Sequence, residues 1–388
     1  MRLKKIITIR FFYCIAIIIQ CNLAVAQQIC NDKTILNTKG SWKKRSDANP
    51  FPDENFPKSQ FVQANNRIDK MQKLLQAAYP EPKGIEAGWY RSISGNALVK
   101  AGPAPYELQA LFLGYYCNTN NIELLPETST WFYIWANQFN WFADFVKEFS
   151  VKKQPVYLLT KKTGEINGYP IYEGIHNENS NTGIKFSRSI IITRSGQSPY
   201  VPVTQKQYLK AFLLYNEKQL PETLAGIEKG FVVKTDAQEE EEKQKVLASI
   251  EKNTKPDAVE RRKVDYLKNY KTDKQSKEEW ITKTKKNYED AMKPVQDLLD
   301  NSTEEELKQP VIIDDVDFSK FKGFSTETKG GRQLVSLNPD YFDTKLPKYV
   351  PQFMVVYWRW EKNKASANFK DELEANFDFK TLKEMIDK

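Results

Sequence analysis

Histidine is almost missing from this chain. One of 388 residues, His176, is a histidine, so any Ser-His-Asp or Cys-His relay has to run through it. It sits in Ile175-His176-Asn177-Glu178-Asn179, a polar stretch that reads as a loop tip. No G-x-S-x-G elbow is present to offer a serine, and one histidine cannot supply an H-E-x-x-H zinc site. Cysteine is also scarce, with 4 in the chain. Cys14 and Cys21 fall in the N-terminal segment described below, which leaves Cys30 and Cys117. Neither an all-cysteine zinc site nor one of paired cysteines and histidines can be assembled from these. Nucleotide-binding signatures are missing too, and Gly330-Gly331-Arg332 has no helix signal after it and reads as a turn. No metal or cofactor is expected. The 16 glycines exclude a collagen-like chain. No later segment approaches the ~18 uninterrupted apolar residues of a membrane span, so no transmembrane segment is expected in the mature chain.

Acidic residues do not occur before Asp32, while Arg2, Lys4, Lys5 and Arg10 precede the apolar run Phe11–Gln20. Ala24-Val25-Ala26 follows with the small-x-small pattern of a signal-peptidase site. This order predicts a cleaved signal peptide over 1–26, with the mature chain starting at Gln27. The formal charge of +8 then falls to +4, so half the apparent basicity is an address. Export to the periplasm, the outer membrane or the medium is the expectation. An oxidising compartment permits a Cys30–Cys117 disulfide, with two free thiols as the alternative.

Residues 27–60 are polar and contain Pro50, Pro52 and Pro57, and read as an extended lead-in. In 63–78, Ile68, Met71, Leu74, Leu75 and Ala78 recur at helical spacing before Pro80. Strand signals begin at 84–94, and 106–116 and 129–136 are aromatic and β-branched runs separated by Asn118-Thr119-Asn120-Asn121, the mark of a hairpin or meander. Phe142, Phe145 and Phe149 predict a helix over 141–149. Turns are expected at Thr163-Gly164 and Asn167-Gly168, and a strand over 184–194. Thr204 suits a helix cap, followed by Tyr208, Ala211, Phe212 and Tyr215 on one face.

Composition shifts most over 234–308, where 17 basic and 19 acidic residues leave a net charge of −2. Ser276 and Glu279 form a candidate capping box, with Trp280, Thr284, Tyr288 and Ala291 behind it, and Pro256 and Pro294 are expected to separate helices. Strand character returns at Val311–Phe318 and Phe353–Trp360, the second apolar on both faces and therefore central. Leu382, Met385 and Ile386 suit a short final helix. The fold class is α+β. It comprises a β-rich body with an N-terminal helix over 61–233, an inserted charged helical arm over 234–309, and a C-terminal strand unit over 310–388 that packs on the body.

Gly40-Ser41-Trp42-Lys43, Gly88-Trp89-Tyr90-Arg91, Ser198–Thr204 and Asn338–Phe342 occur in an order that resembles a group of uncharacterised exported proteins common in the Bacteroidota. The resemblance implies export from a Gram-negative cell and assigns no site residues.

Aromatic residues are the densest chemical feature. Trp131, Tyr133 and Trp135 share one strand face, with Phe132 and Ile134 on the other, and two apolar faces argue for burial between layers. The competing reading is a platform for sugar rings, for which Trp131, Trp135, Trp358 and Trp360 are the candidates. Acidic clusters at Asp314, Asp315 and Asp317 and at Asp340 and Asp343 read as strand ends and turns. Basic residues such as Arg261-Arg262-Lys263, Lys283, Lys285 and Lys286 alternate with acids, which intrahelical pairing explains, so no nucleic-acid partner is expected. The function expected is a non-catalytic binding or scaffolding protein of the cell envelope, with an envelope protein or glycan as partner. The alternative is an envelope polysaccharide hydrolase using paired carboxylates.

Overall fold

A computed structural model describes residues 30–47, 56–93, 97–119, 121–176 and 185–388. The expected export signal and Asn177-Glu178-Asn179 lie outside the described residues.

The lead-in is more structured than its composition implies. Asn31 accepts the Lys33 and Thr34 amides and starts a short helix, α1 (Asp32–Asn37). Strand β1 (Trp42–Lys44) follows. It runs parallel to β2 (Ile85–Ser92), an approach that needs Gly40, because a Cβ there would fall 1.8 Å from the Ile85 carbonyl oxygen. Between them α2 (Phe61–Ala78) buries Ala64, Ile68, Met71, Leu75 and Ala78 on one stripe, each at most 1% exposed.

Strand β3 (Tyr106–Asn118) turns at 118–121 into β4 (Asn121–Leu124), and β5 (Trp131–Ala136) returns along β3. The helix expected over 141–149 is instead strand β6 (Ala143–Val151), joined to β7 (Gln154–Leu159) by two residues. The phenylalanine spacing fits a helix on paper. Nine residues of mixed polarity are ambiguous in period, however, and pairing with β7 decides it. At that turn Lys152 and Lys153 both take positive φ, 50° and 65°, a conformation that costs a non-glycine residue about 1–2 kcal/mol.

Strands β8 (Lys161–Ile166) and β9 (Tyr169–His176) meet at Asn167-Gly168, the expected turn, with φ of 52° and 81°. Thr163-Gly164 is not a turn. It lies inside β8, where the register shifts between Lys162 and Gly164 as a bulge. After β10 (Lys185–Ile192) and β11 (Tyr200–Pro202), Thr204 and Gln207 form a reciprocal capping box that opens α3 (Gln205–Gly230).

The charged segment is helical throughout, as α4 (Asp236–Asn253), α5 (Val259–Asn269), α6 (Asp273–Asn301) and α7 (Glu304–Leu307). Two details differ from expectation. The box that opens α6 is Thr272 with Gln275, so Ser276 lies inside the helix. Pro256 does fall at a break, but Pro294 sits within α6, costing one ladder hydrogen bond without ending the helix. Glu239, 8% exposed, reaches from α4 to accept the Asp273 amide at 2.7 Å. A carboxylate at a helix start is favourable there.

The run Val311–Phe318 yields only β12 (Ile312–Ile313), because Asp315 and Asp317 turn the chain through side-chain bonds to following amides. The chain ends with β13 (Arg332–Leu337), β14 (Met354–Glu361), α8 (Lys364–Asn376) and α9 (Phe379–Lys383).

These elements form two compact units, one of residues up to 144 with 159–201 and 337–388, the other of 145–158 and 202–336. The first is built on a sheet in the order β1–β2–β3–β5–β14–β10–β9–β8, with β4 on β3. Its core lies where Ala110, Phe112, Phe132, Ile134, Val356 and Trp358 meet α2, α8 and α9. Cys30 and Cys117 are bonded, 5.6 Å apart at Cα, fastening the start of α1 to β3. The second unit is built on the order β11–β13–β7–β6, with β12 on β13. Its core joins Val156, Leu158 and Leu334 to Tyr208, Leu209 and Phe212 of α3 and Val295 of α6. The architecture is α+β, mostly antiparallel, and no described helix is long and apolar enough to cross a membrane.

Candidate functional site

The four tryptophans expected to meet a ligand fall on opposite sides of the first sheet. Trp131 and Trp135 share a face with Tyr133, their rings stacked at 5.8 and 4.8 Å between centroids. Trp358 and Trp360 lie on the face that carries the helices. Trp135 and Trp358 are 2% and 0% exposed, which removes both from any surface. Tyr357 is 2% exposed as well, so the first half of Tyr357-Trp358-Arg359-Trp360 is closed on both faces. The two faces are closed differently: the helical layer covers Trp358, whereas Tyr357 lies on the other face under the rings of Trp135 and Trp141, at 5.5 and 5.0 Å. Trp131 and Trp360 are half-buried.

On the Trp131 face, Trp141 is 47% exposed, with φ at 54°, and packs its ring at 5.4 Å from Tyr133 with the Arg359 guanidinium at 5.6 Å. Beneath these rings Glu107 accepts hydrogen bonds from Gln109 and the Trp135 indole. Burial pushes the Glu107 carboxyl above its usual range, against those bonds and one from Ser92. The group is enclosed and its oxygens are occupied, which suits a structural acid.

On the Trp360 side the sheet opens into a cleft of about 700 Å³. Its walls come from Ile35 and Leu36 of α1, Phe112 and Tyr115 of β3, Phe186 of β10 and Trp360. Phe186 stacks on Trp360 at 5.6 Å and 23°, and is itself 36% exposed, so one ring of the pair is open. Arg188 and Lys370 lie over the Trp360 ring at 5.6 and 5.9 Å. The first turn of α8 forms the far wall. Gly84, with φ of 71°, lets that turn approach, because a Cβ there would meet Ala365 at 3.0 Å.

Charges of both signs rim the cleft. Asp32 and Glu127 stand exposed opposite Lys362 and Lys364. Glu361 is committed, accepting the Ser129 amide at 2.6 Å and the Asn363 amide group at 3.2 Å. Tyr115 donates to Glu86, and burial with that carboxylate raises its pKa. The arrangement presents an open aromatic face, charges of both signs, and donors beside acceptors.

The other candidates are occupied locally. Asp317 accepts from Ser319 and pairs with Lys322, which together hold its carboxyl below the usual range. Asp343 accepts the Lys345 amide, and Asp340 is exposed in a turn. Among the described residues no group of acids, cysteines or histidines is placed to hold a metal ion. His176 closes β9 at the border of the described residues. On the helical segment, pairing is partly intrahelical, as in Lys245–Glu241, and partly between helices, as in Lys263–Glu251.

Phe186 and the α8 turn escaped sequence reasoning. Phe186 alternates with Arg188 and Ile190 along one strand face, a signal that gives its side and not its exposure. No family model, curated protein or solved structure matches this chain.

Proposed function

We propose that the protein is exported to the cell envelope and binds a neutral glycan there, without catalysis, in the cleft at Phe186 and Trp360. The observation that carries this reading is the stacked Phe186–Trp360 pair, one ring open, inside a cleft rimmed by charges of both signs. Sugar rings offer apolar faces for such a ring and hydroxyls that donate and accept along the rim. Export rests on the basic, apolar and small-residue order of residues 1–26. The Cys30–Cys117 bond agrees with an oxidising compartment. The likeness to exported Bacteroidota proteins belongs to the same proposal. The hydrolase alternative gains no support from Glu361, whose two oxygens are engaged.

The test is a calorimetric titration of the mature protein with neutral oligosaccharides. Phe186→Ala should weaken binding at least tenfold, while Trp141→Ala on the opposite face should leave it unchanged. Absence of heat with every neutral glycan, from folded protein, would overturn the reading.

A further inference from the structure

The second unit contains an open strand edge. In the order β11–β13–β7–β6, β6 pairs with β7 alone, so among the described residues its other edge has no strand beside it. Unpaired edges of this kind template the addition of another chain unless they are blocked. Residues 147–152 of β6 and its turn and residues 207–219 of α3 line a groove of about 750 Å³. Four lysines line it: Lys147 on β6, Lys152 at the hairpin turn, and Lys210 and Lys218 on α3. Glu148 is the acid among the lining residues. None of the four lysines forms an ion pair within the described residues, although Lys210 does contribute to the field that lowers the Glu304 carboxyl. Leu214, 67% exposed, supplies an apolar contact between the two α3 lysines. The strained backbone at Lys152 and Lys153 places cationic side chains where Asn-Gly would be easier.

We propose that this groove binds an extended acidic peptide of a partner protein, which adds to β6 as a further strand. The β6 backbone supplies the ladder, α3 supplies the opposite wall, and the lysines select for Asp and Glu on the incoming chain. This is the strand-and-helix geometry in which main-chain bonds give affinity and side chains give specificity. It is independent of the glycan cleft, which lies in the other unit.

The experiment uses the mature protein and a display library of random octapeptides, with K147Q/K210Q/K218Q as the counter-target. The three lysines are exposed, so the variant should fold, and circular dichroism checks this. Retained peptides should be rich in Asp and Glu and poor in Pro. The best of them, synthesised, should bind the variant at least tenfold more weakly and slow amide exchange over 145–151. Its counterpart N-methylated at alternate residues should not bind, because it cannot complete the ladder. Peptides without acidic enrichment, equal binding to the variant, or unchanged exchange over 145–151 would each overturn the proposal. So would a sulfated dextran that binds in their place, since the groove would then serve a polyanionic glycan.

Discussion

The indole Nε1–H of Trp358 donates to a carboxylate oxygen of Glu374 at 2.9 Å, joining the centre of the first sheet to the helix above it. Arg188 grips the same carboxylate through two bonds, at 2.9 and 2.8 Å, and also holds Glu173 at 2.7 Å. Glu374→Ala leaves a buried indole donor and half a guanidinium without partners. The expected cost is about 2 kcal/mol, read as a lower denaturant midpoint at unchanged slope. A change below about 0.5 kcal/mol would show that water replaces the carboxylate.

The β6–β7 turn is a place where stability can be gained. Lys152 and Lys153 occupy left-handed backbone that Asn-Gly adopts readily. K152N/K153G should therefore raise stability by about 1–2 kcal/mol in equilibrium unfolding. A destabilised variant would mean that the lysine side chains hold the turn.

Cys30 and Cys117 close a loop with a sequence separation of 87. Chain entropy for a loop of this size predicts that the paired Cys→Ser variant loses roughly 4.6 kcal/mol. Denaturant unfolding of both proteins without reductant measures it. A loss under about 1 kcal/mol would show that α1 and β1 are already secured by packing, such as the Trp42 indole bond to the Tyr79 carbonyl.

Glu107 gives a pH signature. Its folded pKa is raised by burial, so the folded state holds this proton more tightly than the unfolded chain. The resulting stabilisation is complete below the unfolded value of about 4.3 and is lost as pH rises through the raised folded value. Glu107→Gln should therefore melt progressively higher than the wild type across that window, with a constant gap above it. A gap in melting temperature that does not vary from pH 4 to pH 8 would contradict the burial assignment.

Periodicity was a good guide wherever one layer covers one face. The α2 stripe was legible because burial on one side leaves a period of 3.6, and the central position of β14 because burial on both faces leaves an unbroken apolar run. It failed at β6, where nine mixed residues fit two periods, and at Val311–Phe318, where local aspartate bonds outcompete a ladder. The candidate site was half legible: Trp360 was named, but Phe186 and the α8 turn that complete its cleft come from distant parts of the chain.

By itself the sequence determined the α+β class and the buried stripe of an element such as α2, because composition and spacing are local properties. Which tryptophan keeps an open neighbour was decided by tertiary structure alone. Trp358 and Trp360 are two residues apart on one strand face, yet α8 and its Glu374 close over the first, while the start of α8 leaves a cleft beside the second. Exposure depends on what another segment covers, and no periodicity within the strand encodes that.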